Sequence, residues 1–250
     1  MKSTLRNLIL FSGATAAQLY DTRVLATSPL RYNKLNETSG TAIVDSSGNA
    51  YTGTYSGVTL ASIASPFLPD NAPLWDGVND YADMYSASFG SAFNLDEFTF
   101  SYWFKVANAG VWTDGTARRL VSFVRDSSNF FRVLRSVTNG VLTIDRNGSG
   151  TTKTISLTSL SSTAWNCFQI SASVAGGGLL AAGEMKAYIN GVEVGTVAAN
   201  IASAGTGLSS AQTLLGARII PPDFVTSGYF SRFMIHNSAI TTSILALGTP

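Results

Sequence analysis

Hydrophobic and polar residues alternate along many short stretches of this chain. The clearest stretch is EFTFSYWFKV, in which Phe98, Phe100 and Tyr102 alternate with Thr99 and Ser101. Strict alternation with a period of two indicates a β-strand whose two faces are used differently. Similar patterns predict strands at residues 32–36, 82–85, 119–125, 130–137, 141–146, 153–157, 165–174, 212–217 and 230–236. So many short strands, separated by Gly, Asn and Ser, predict an all-β sandwich or jelly roll.

One hairpin can be predicted from its turn residues. In MKAYINGVEVGT, two alternating runs flank Asn190 and Gly191. This is the pair that most readily adopts the positive φ angles of a two-residue turn. The flanking runs are therefore predicted to be adjacent antiparallel strands.

Helical signals are few and lie near the two ends of the chain. Residues 14–26 predict a helix with Leu19, Val24 and Leu25 as its apolar stripe, and a Ser-Pro pair ends it. Residues 241–247 predict a second, short helix.

Composition excludes several classes of function. The 250 residues carry a formal net charge of +1 without a cluster of Lys or Arg, so no nucleic-acid-binding surface is indicated. No apolar run approaches the roughly 18 residues of a membrane-spanning helix. The single cysteine, Cys167, excludes an intrachain disulfide and is expected to pack inside a sheet. The single histidine, His236, excludes metal or catalytic sites that need two. Arg outnumbers Lys eleven to five, which favours fixed, bidentate contacts with protein or sugar groups.

The leader MKSTLRNLILFSGATAA contains a short apolar run, Leu8, Ile9, Leu10 and Phe11. This run is shorter than the core of a secretory signal, so we expect no such signal. Burial of several such side chains is worth several kcal/mol at roughly 25 cal/mol per Å². We expect the run to dock, either onto its own domain or onto a partner subunit. We favour the partner, because the Ser-Pro break can direct the arm away from the domain.

The stretch NETSGTAIVDSSGNAYTG is rich in turn residues. Glycines provide turn conformations, and Asp45 and Asn49 can bond nearby backbone N–H groups as Asx turns do. This interpretation is favoured. The alternative is a calcium site, because hard cations need several oxygen ligands, which could come from Asp45, Asp76, Asp80 and Asp83.

Several segments, taken in order, resemble laminin G-like domains of the concanavalin A-like lectin and glucanase superfamily. The segments are PLRYNKLNETSGTAIVDSSGNAYTGTYSGV, LWDGVNDYADM, FTFSYWFKV, TAWNCFQISASV, MKAYINGVEVGT and LLGAR followed by GYFSRFMIHNSAIT. No single motif is specific, but the ordered set covers residues 29–247. The resemblance implies a two-sheet antiparallel jelly roll over residues 29–250, preceded by an arm with a helix over residues 1–28.

The resemblance also bears on metals and catalysis. An acidic pair in the closing strand of the family aligns here with Ser231 and Arg232, which argues against calcium, and no cofactor is expected. Glycosidases need two facing carboxyl groups. The chain has four glutamates: Glu37, Glu97, Glu184 and Glu193. None has a second carboxyl group two residues away on a strand, so we expect no enzyme activity.

Two non-catalytic functions remain. As a lectin-like module, the domain would bind sugar at Trp112 and Asp114 in GVWTDGT, although an indole in such a loop commonly packs on the core. As a structural subunit, it would decorate a larger particle. We favour the second, because the leader with its S-P-L-x-Y entry resembles bacteriophage proteins that carry this domain.

We expect a virion protein of capsid or tail, assembled in the host cytoplasm. Its partners would be other virion subunits, itself or surface polysaccharide. The alternative is a free carbohydrate-binding lectin module of a bacterial surface or secreted protein. A glycan hydrolase or lyase is the least favoured interpretation.

Overall fold

The computed structural model describes residues 14–198 and 200–249, and within them sixteen strands form two sheets of eight. All strand pairs are antiparallel, which confirms the predicted two-sheet sandwich. The helices are α1 (Ala16–Leu25), α2 (Ala87–Ala92) and α3 (Thr242–Leu245), with 3₁₀ turns at Ala109–Trp112 and Ala246–Gly248. No helix among these residues is long and apolar enough to cross a membrane.

The first sheet has the order β14-β13-β12-β7-β16-β5-β4, and β1 also pairs with β16. Its strands are β1 (Arg31–Asn33), β4 (Thr59–Ala64), β5 (Asn71–Asp76), β7 (Glu97–Val106), β12 (Asn166–Ser173), β13 (Glu184–Ile189), β14 (Val192–Ala198) and β16 (Ser227–His236). The predicted hairpin is confirmed, because Asn190 and Gly191 join β13 to β14 with φ angles of 52° and 78°.

The second sheet has the order β11-β10-β9-β8-β15-β6-β3-β2. Its strands are β2 (Ala42–Ile43), β3 (Gly53–Ser56), β6 (Tyr81–Asp83), β8 (Arg118–Asp126), β9 (Asn129–Arg135), β10 (Leu142–Gly148), β11 (Thr151–Leu157) and β15 (Thr213–Leu215). Aromatic rings fill the space between the sheets. Phe100 lies at their centre, with ring centroids of Phe131 and Phe123 at 4.6 and 4.8 Å.

The outer face of the first sheet is also buried at β7, β12 and β16, where α1 packs on it. Trp103, which alternates with the core residues of β7, donates its indole N–H to the Tyr20 hydroxyl of α1 at 3.2 Å. Tyr20 and Val24 are buried in this second hydrophobic cluster, together with Cys167. Burial raises the pKa of the Cys167 thiol to about 12, so it is a packed, neutral cysteine as predicted.

The predicted helices are confirmed, but of the predicted stripe of α1 only Val24 is buried. The capping box of Thr15 and Gln18 begins α1 one turn before its first buried tyrosine. The face that packs on the sheet is formed by Ala17, Tyr20, Asp21 and Val24, whereas Leu25 is 43% exposed. The helix of the leader therefore packs on its own domain, and the Ser-Pro pair does not direct it away from the sandwich. Leu8, Ile9, Leu10 and Phe11 lie outside the described residues, so their docking stays a prediction.

A buried arginine anchors α1 to the sheet. Arg232 lies in a β-bulge of β16 with φ 52°, and its side chain is fully buried. Its Nη2 lies 2.5 Å from Asp70 Oδ2, and its Nε lies 3.0 Å from Asp21 Oδ1 without hydrogen-bond geometry. The same Asp21 carboxylate accepts hydrogen bonds from the Tyr32 hydroxyl at 2.5 Å and pairs with the Lys34 ammonium at 2.8 Å. Arg232 therefore holds carboxylates from two separate segments, α1 and the residue before β5.

Candidate functional site

Four cross-strand neighbours form a polar row on the outer face of the second sheet. Ser122 on β8 pairs with Arg132 on β9, which pairs with Asp145 on β10, which pairs with Thr154 on β11. Directly paired residues of adjacent strands point to the same face. Phe131, one position before Arg132, is buried in the core. The row therefore points away from the core.

A cavity of about 390 Å³ lies at this row, which is within the range of small-ligand sites. The segments that flank β15 form its wall. Ser209 N donates to Val124 O at 2.6 Å, and Ser122 Oγ donates to Arg218 O at 3.2 Å. The lining is mostly hydroxyl, amide and charged: Ser122, Val124, Arg125, Asp126, Ser127, Arg132, Ser209, Gln212, Arg218 and Ile219. We call this cavity the arginine pocket.

Two arginines at the arginine pocket have no hydrogen-bond or ion-pair partner among the described residues. The guanidinium of Arg132 lies 3.2 Å from the ring centroid of Phe130, and its Nε is buried and unbonded. Arg119 shares this sheet face and is only 6% exposed, with Nε and Nη1 both buried and unbonded. The other buried arginines of the described chain each donate side-chain hydrogen bonds to protein oxygens: Arg31, Arg135, Arg146 and Arg232.

Like charges lie close together at this site. Burial, and then the charges of Arg132 and Arg218, lower the pKa of Arg119 to about 10. Burial and Arg218 also lower the pKa of Arg132. The nearby carboxylates are Asp145 and Asp223, and Asp223 already binds Arg218, with Nε and Oδ1 3.0 Å apart. Arg119, Arg132 and Arg218 thus face two carboxylates, and the pair of Arg125 and Asp126 adds one charge of each sign. The site therefore has one positive charge in excess.

The loop after β15 provides an exposed aromatic ring beside the arginine pocket. Phe224 is 44% exposed, and the Arg218 guanidinium lies 4.5 Å from its ring centroid. A neighbouring cavity of about 460 Å³ is lined by Phe224 together with the exposed Val78 and Val137. The ring offers a flat apolar surface next to the cationic one.

The sugar-binding residues expected from the sequence have structural partners instead. Trp112 is 4% exposed, packs in the main core and donates its indole N–H to Ser162 O at 2.9 Å. Its ring therefore offers no stacking surface, which corrects that expectation. Asp114 pairs with Arg118 at 2.5 Å and with Arg135 at 3.3 Å.

The four aspartates considered for calcium bond backbone N–H groups of turns. Asp45 accepts three such bonds, from Tyr32, Ser47 and Tyr51, which supports the turn interpretation. Asp76, Asp80 and Asp83 each accept one. No group of three His, Cys, Asp or Glu side chains that could hold a metal ion is found among the described residues.

The glutamates also have local partners. Glu37 accepts from the Tyr55 hydroxyl at 2.9 Å, and Glu97 accepts from Ala239 N at 3.2 Å. Glu184 and Glu193 lie on either side of Lys186, at 3.6 and 3.5 Å from its ammonium. A hydrogen bond from Thr196, and then the Lys186 charge, lower the pKa of Glu193. A general acid of a glycosidase needs a raised pKa, so Glu193 is unsuited to that role.

Comparison with known proteins agrees with this architecture. A family model described as the concanavalin A-like lectin/glucanases superfamily, of laminin G type, matches residues 76–245. The receptor-binding domain of botulinum neurotoxin mosaic serotype C/D is similar in structure, with a TM-score of 0.65 and 13% identity over 89% of this chain and 50% of that one. The binding domain of botulinum neurotoxin DC has TM-scores of 0.60 in complex with SialylT and 0.61 in complex with rat synaptotagmin II. Both comparisons have 14% identity, over 88% and 89% of this chain and 50% and 51% of those chains. This chain thus spans about half the length of those domains. No curated protein sequence matches it.

Proposed function

The chain belongs to the laminin G-like concanavalin A-like lectin/glucanases superfamily, and from this premise we propose that it is a non-catalytic module that binds acidic glycans in the arginine pocket. The ligand class is a sugar chain that carries carboxylate or sulfate groups.

The observation that carries this proposal is the unpartnered pair Arg119 and Arg132. A guanidinium held out of water without a partner is unfavourable, and a bound anion relieves that cost. Arginine also binds a carboxylate or sulfate through two parallel hydrogen bonds, which adds specificity. Arg132 lines the cavity and would contact the anion. Arg119, almost fully buried beside it, would supply a fixed positive charge.

The rest of the site suits the remainder of a sugar. Ser122, Ser209 and Gln212 offer hydroxyl and amide groups that can donate or accept. Phe224 offers an exposed ring for the apolar face of a neighbouring sugar unit. Similar toxin domains were solved in complexes with SialylT and with rat synaptotagmin II. The ligand proposed here depends on this chain's own arginines.

We also propose that the module is displayed on a bacteriophage particle, as a capsid or tail decoration that contacts host-surface polysaccharide. Support for this setting comes from the leader and its S-P-L-x-Y entry, which resemble those of phage proteins. Purified particles should contain the protein in fixed proportion to the major capsid or tail protein, as measured by quantitative mass spectrometry. Its absence from washed particles would refute the setting without affecting the glycan proposal.

Replacing Arg132 by alanine should weaken binding of an acidic glycan about ten- to a hundredfold, since a hydrogen bond to a charged group is worth about 1.5–3 kcal/mol. Isothermal calorimetry with sulfated and uronate-containing oligosaccharides measures this. Arg132→Lys should bind with intermediate strength, because it keeps the charge and loses the planar fork. Arg119→Met should lower the affinity for the acidic glycan and reduce the dependence of that affinity on salt concentration, because it removes an uncompensated positive charge.

The matched control is Arg23→Ala, which removes the same charge from α1 on the opposite side of the sandwich. It should bind like the native protein. Equal affinity of the native protein and Arg132→Ala for acidic glycans would refute the proposal. So would a preference for neutral glycans at the arginine pocket.

A further inference from the structure

Part of the outer face of the first sheet carries a row of large side chains beyond the area that α1 covers. Leu74 of β5 pairs with Tyr229 of β16, which pairs with Lys105 of β7. The row ends at Trp165, whose ring centroid lies 6.4 Å from that of Tyr229. We call these four residues the outer row. Successive strand residues point to opposite faces, and the core residues that alternate with the row are Trp75, Phe104, Val106 and Phe230.

The outer row is largely apolar and only partly covered. Leu74, Tyr229 and Trp165 provide aliphatic and aromatic surface, and the methylene groups of Lys105 add to it. All four residues are of intermediate exposure among the described residues. The other three tryptophans of the chain are at most 4% exposed, so Trp165 is the one that solvent reaches. Contiguous apolar surface of this kind is typical of a docking site.

Helix α1 runs along the sheet toward the outer row. After its C-terminal end, Thr27 Oγ1 lies 2.8 Å from His236 Nε2, and His236 pairs with the first half of β7. About two helical turns earlier, Tyr20 accepts a hydrogen bond from Trp103 in the second half of β7. Lys105 of the outer row follows two positions after Trp103. The N-terminal end of α1 therefore points at the outer row.

The apolar run at residues 8–11 is the right length for the outer row. Adjacent strands lie about 4.8 Å apart, so the row measures roughly 14 Å from Leu74 to Trp165. Four residues of extended chain span about 13 Å. Ser12 and Gly13 separate the run from Ala14, and glycine permits the turn that takes a chain across the strands.

We propose that residues 8–11 of the same chain cover the outer row and complete the outer face of the first sheet. The sequence alone favoured a partner subunit, but a segment that leaves α1 at this row meets its own domain first. A short connection gives it an effective concentration in the millimolar range, about a hundredfold or more above that of a partner at micromolar concentration. The second sheet, with the arginine pocket, then remains as the ligand face.

Tryptophan fluorescence tests the contact in the full chain. Replacing all four residues 8–11 by serine should shift the emission to longer wavelength and increase its quenching by acrylamide, because Trp165 loses its cover. The same replacement in a Trp165→Phe background should change neither, since the other tryptophans are buried. The matched control, Lys2→Ser with Arg6→Ser, alters the leader outside the apolar run and should behave like the native protein. Unchanged fluorescence in the serine variant would overturn the proposal.

Disulfide formation identifies the chain on which the run docks. A cysteine is placed at each of residues 8–11 in turn, together with Lys105→Cys, and Cys167 does not compete because it is buried and its pKa is raised. At about 10 μM protein, at least one pair should close within a chain roughly a hundredfold faster than between chains. The control, Ser156→Cys, places the second thiol on the exposed side of β11 in the other sheet and should stay reduced. Cross-linked dimers as the main product would assign the run to a second copy and overturn the proposal, as would equal rates with Lys105→Cys and Ser156→Cys.

Discussion

Replacing Arg232 by methionine should lower the free energy of unfolding by about 3–5 kcal/mol. The side chain is fully buried and holds the carboxylates of Asp21 and Asp70, which are themselves mostly buried. Methionine fills similar space but leaves both negative charges without their cation. Breaking one side of a buried ion pair costs far more than the pair contributes, because the remaining charge stays out of water. Urea unfolding followed by circular dichroism measures the change.

The mechanism can be separated from a simple packing defect. Combining Arg232→Met with Asp21→Asn and Asp70→Asn removes the uncompensated charges, so the triple variant should recover part of the loss. The matched control is Arg218→Met, whose ion pair with Asp223 is 44% and 36% exposed and should contribute at most about 1 kcal/mol. A loss below 1 kcal/mol for Arg232→Met would contradict the assigned role of the network.

Acidification from pH 7 to pH 4 should destabilise the protein through His236 by about 3 kcal/mol. The pKa of this histidine falls from an ordinary value of about 6.5 to about 4 in the folded state, because burial disfavours the charged ring. The unfolded chain therefore takes up a proton below pH 6.5 while the folded chain does not. The contribution is fully present above the unfolded pKa, and it is lost as the pH falls toward the folded one.

His236→Gln, which stays neutral at every pH, isolates this effect. Carboxylates titrate in both proteins, so the difference between their stability curves belongs to the histidine. The native protein should lose more stability than the variant between pH 6.5 and 4, measured by urea unfolding at each pH. Parallel curves would show that the ring titrates normally.

The elements that depend only on neighbouring residues were predicted correctly from the sequence. The alternation of β7 and the Asn190-Gly191 turn need only side-chain direction and backbone preference, and both predictions hold. Strands β3, β4 and β5 were not predicted individually, because GTYS, TLASIA and NAPLWD lack a period-two pattern of apolar residues. β3 and β5 form strands by pairing with the distant β6 and β16, and β4 pairs with the neighbouring β5. The predicted stripe of α1 was right at Val24 but missed Tyr20 and Asp21, because their partners Trp103 and Arg232 lie more than 80 residues away.

The candidate sites were harder to predict, because they depend on which side chains the fold leaves without a hydrogen-bond partner. The sequence singled out Trp112 for its glycine-flanked loop, but only the fold shows that Ser162 and the core enclose it. Arg119 lies in no recognisable motif. Its Nε and Nη1 have no hydrogen-bond acceptor, whereas the Nε of Arg146 donates to Leu95 O, and the sequence does not show this difference. The excess of Arg over Lys was the one available signal. Asp45, by contrast, was correctly assigned to a turn.

Helix α1 also gives the module a front and a back. Tyr20 donates its hydroxyl proton to Leu247 O at 3.0 Å, and Arg23 Nη2 donates to Ala246 O at 2.6 Å. The entering and leaving segments of the domain therefore lie side by side on the first sheet, whereas the arginine pocket opens from the second. A carrier joined through either flank would present that pocket outward, away from the point of attachment. A fluorescent protein or a surface anchor could be fused at either flank without shielding the ligand face, and a row of such modules on a common support would show the same face to the surroundings.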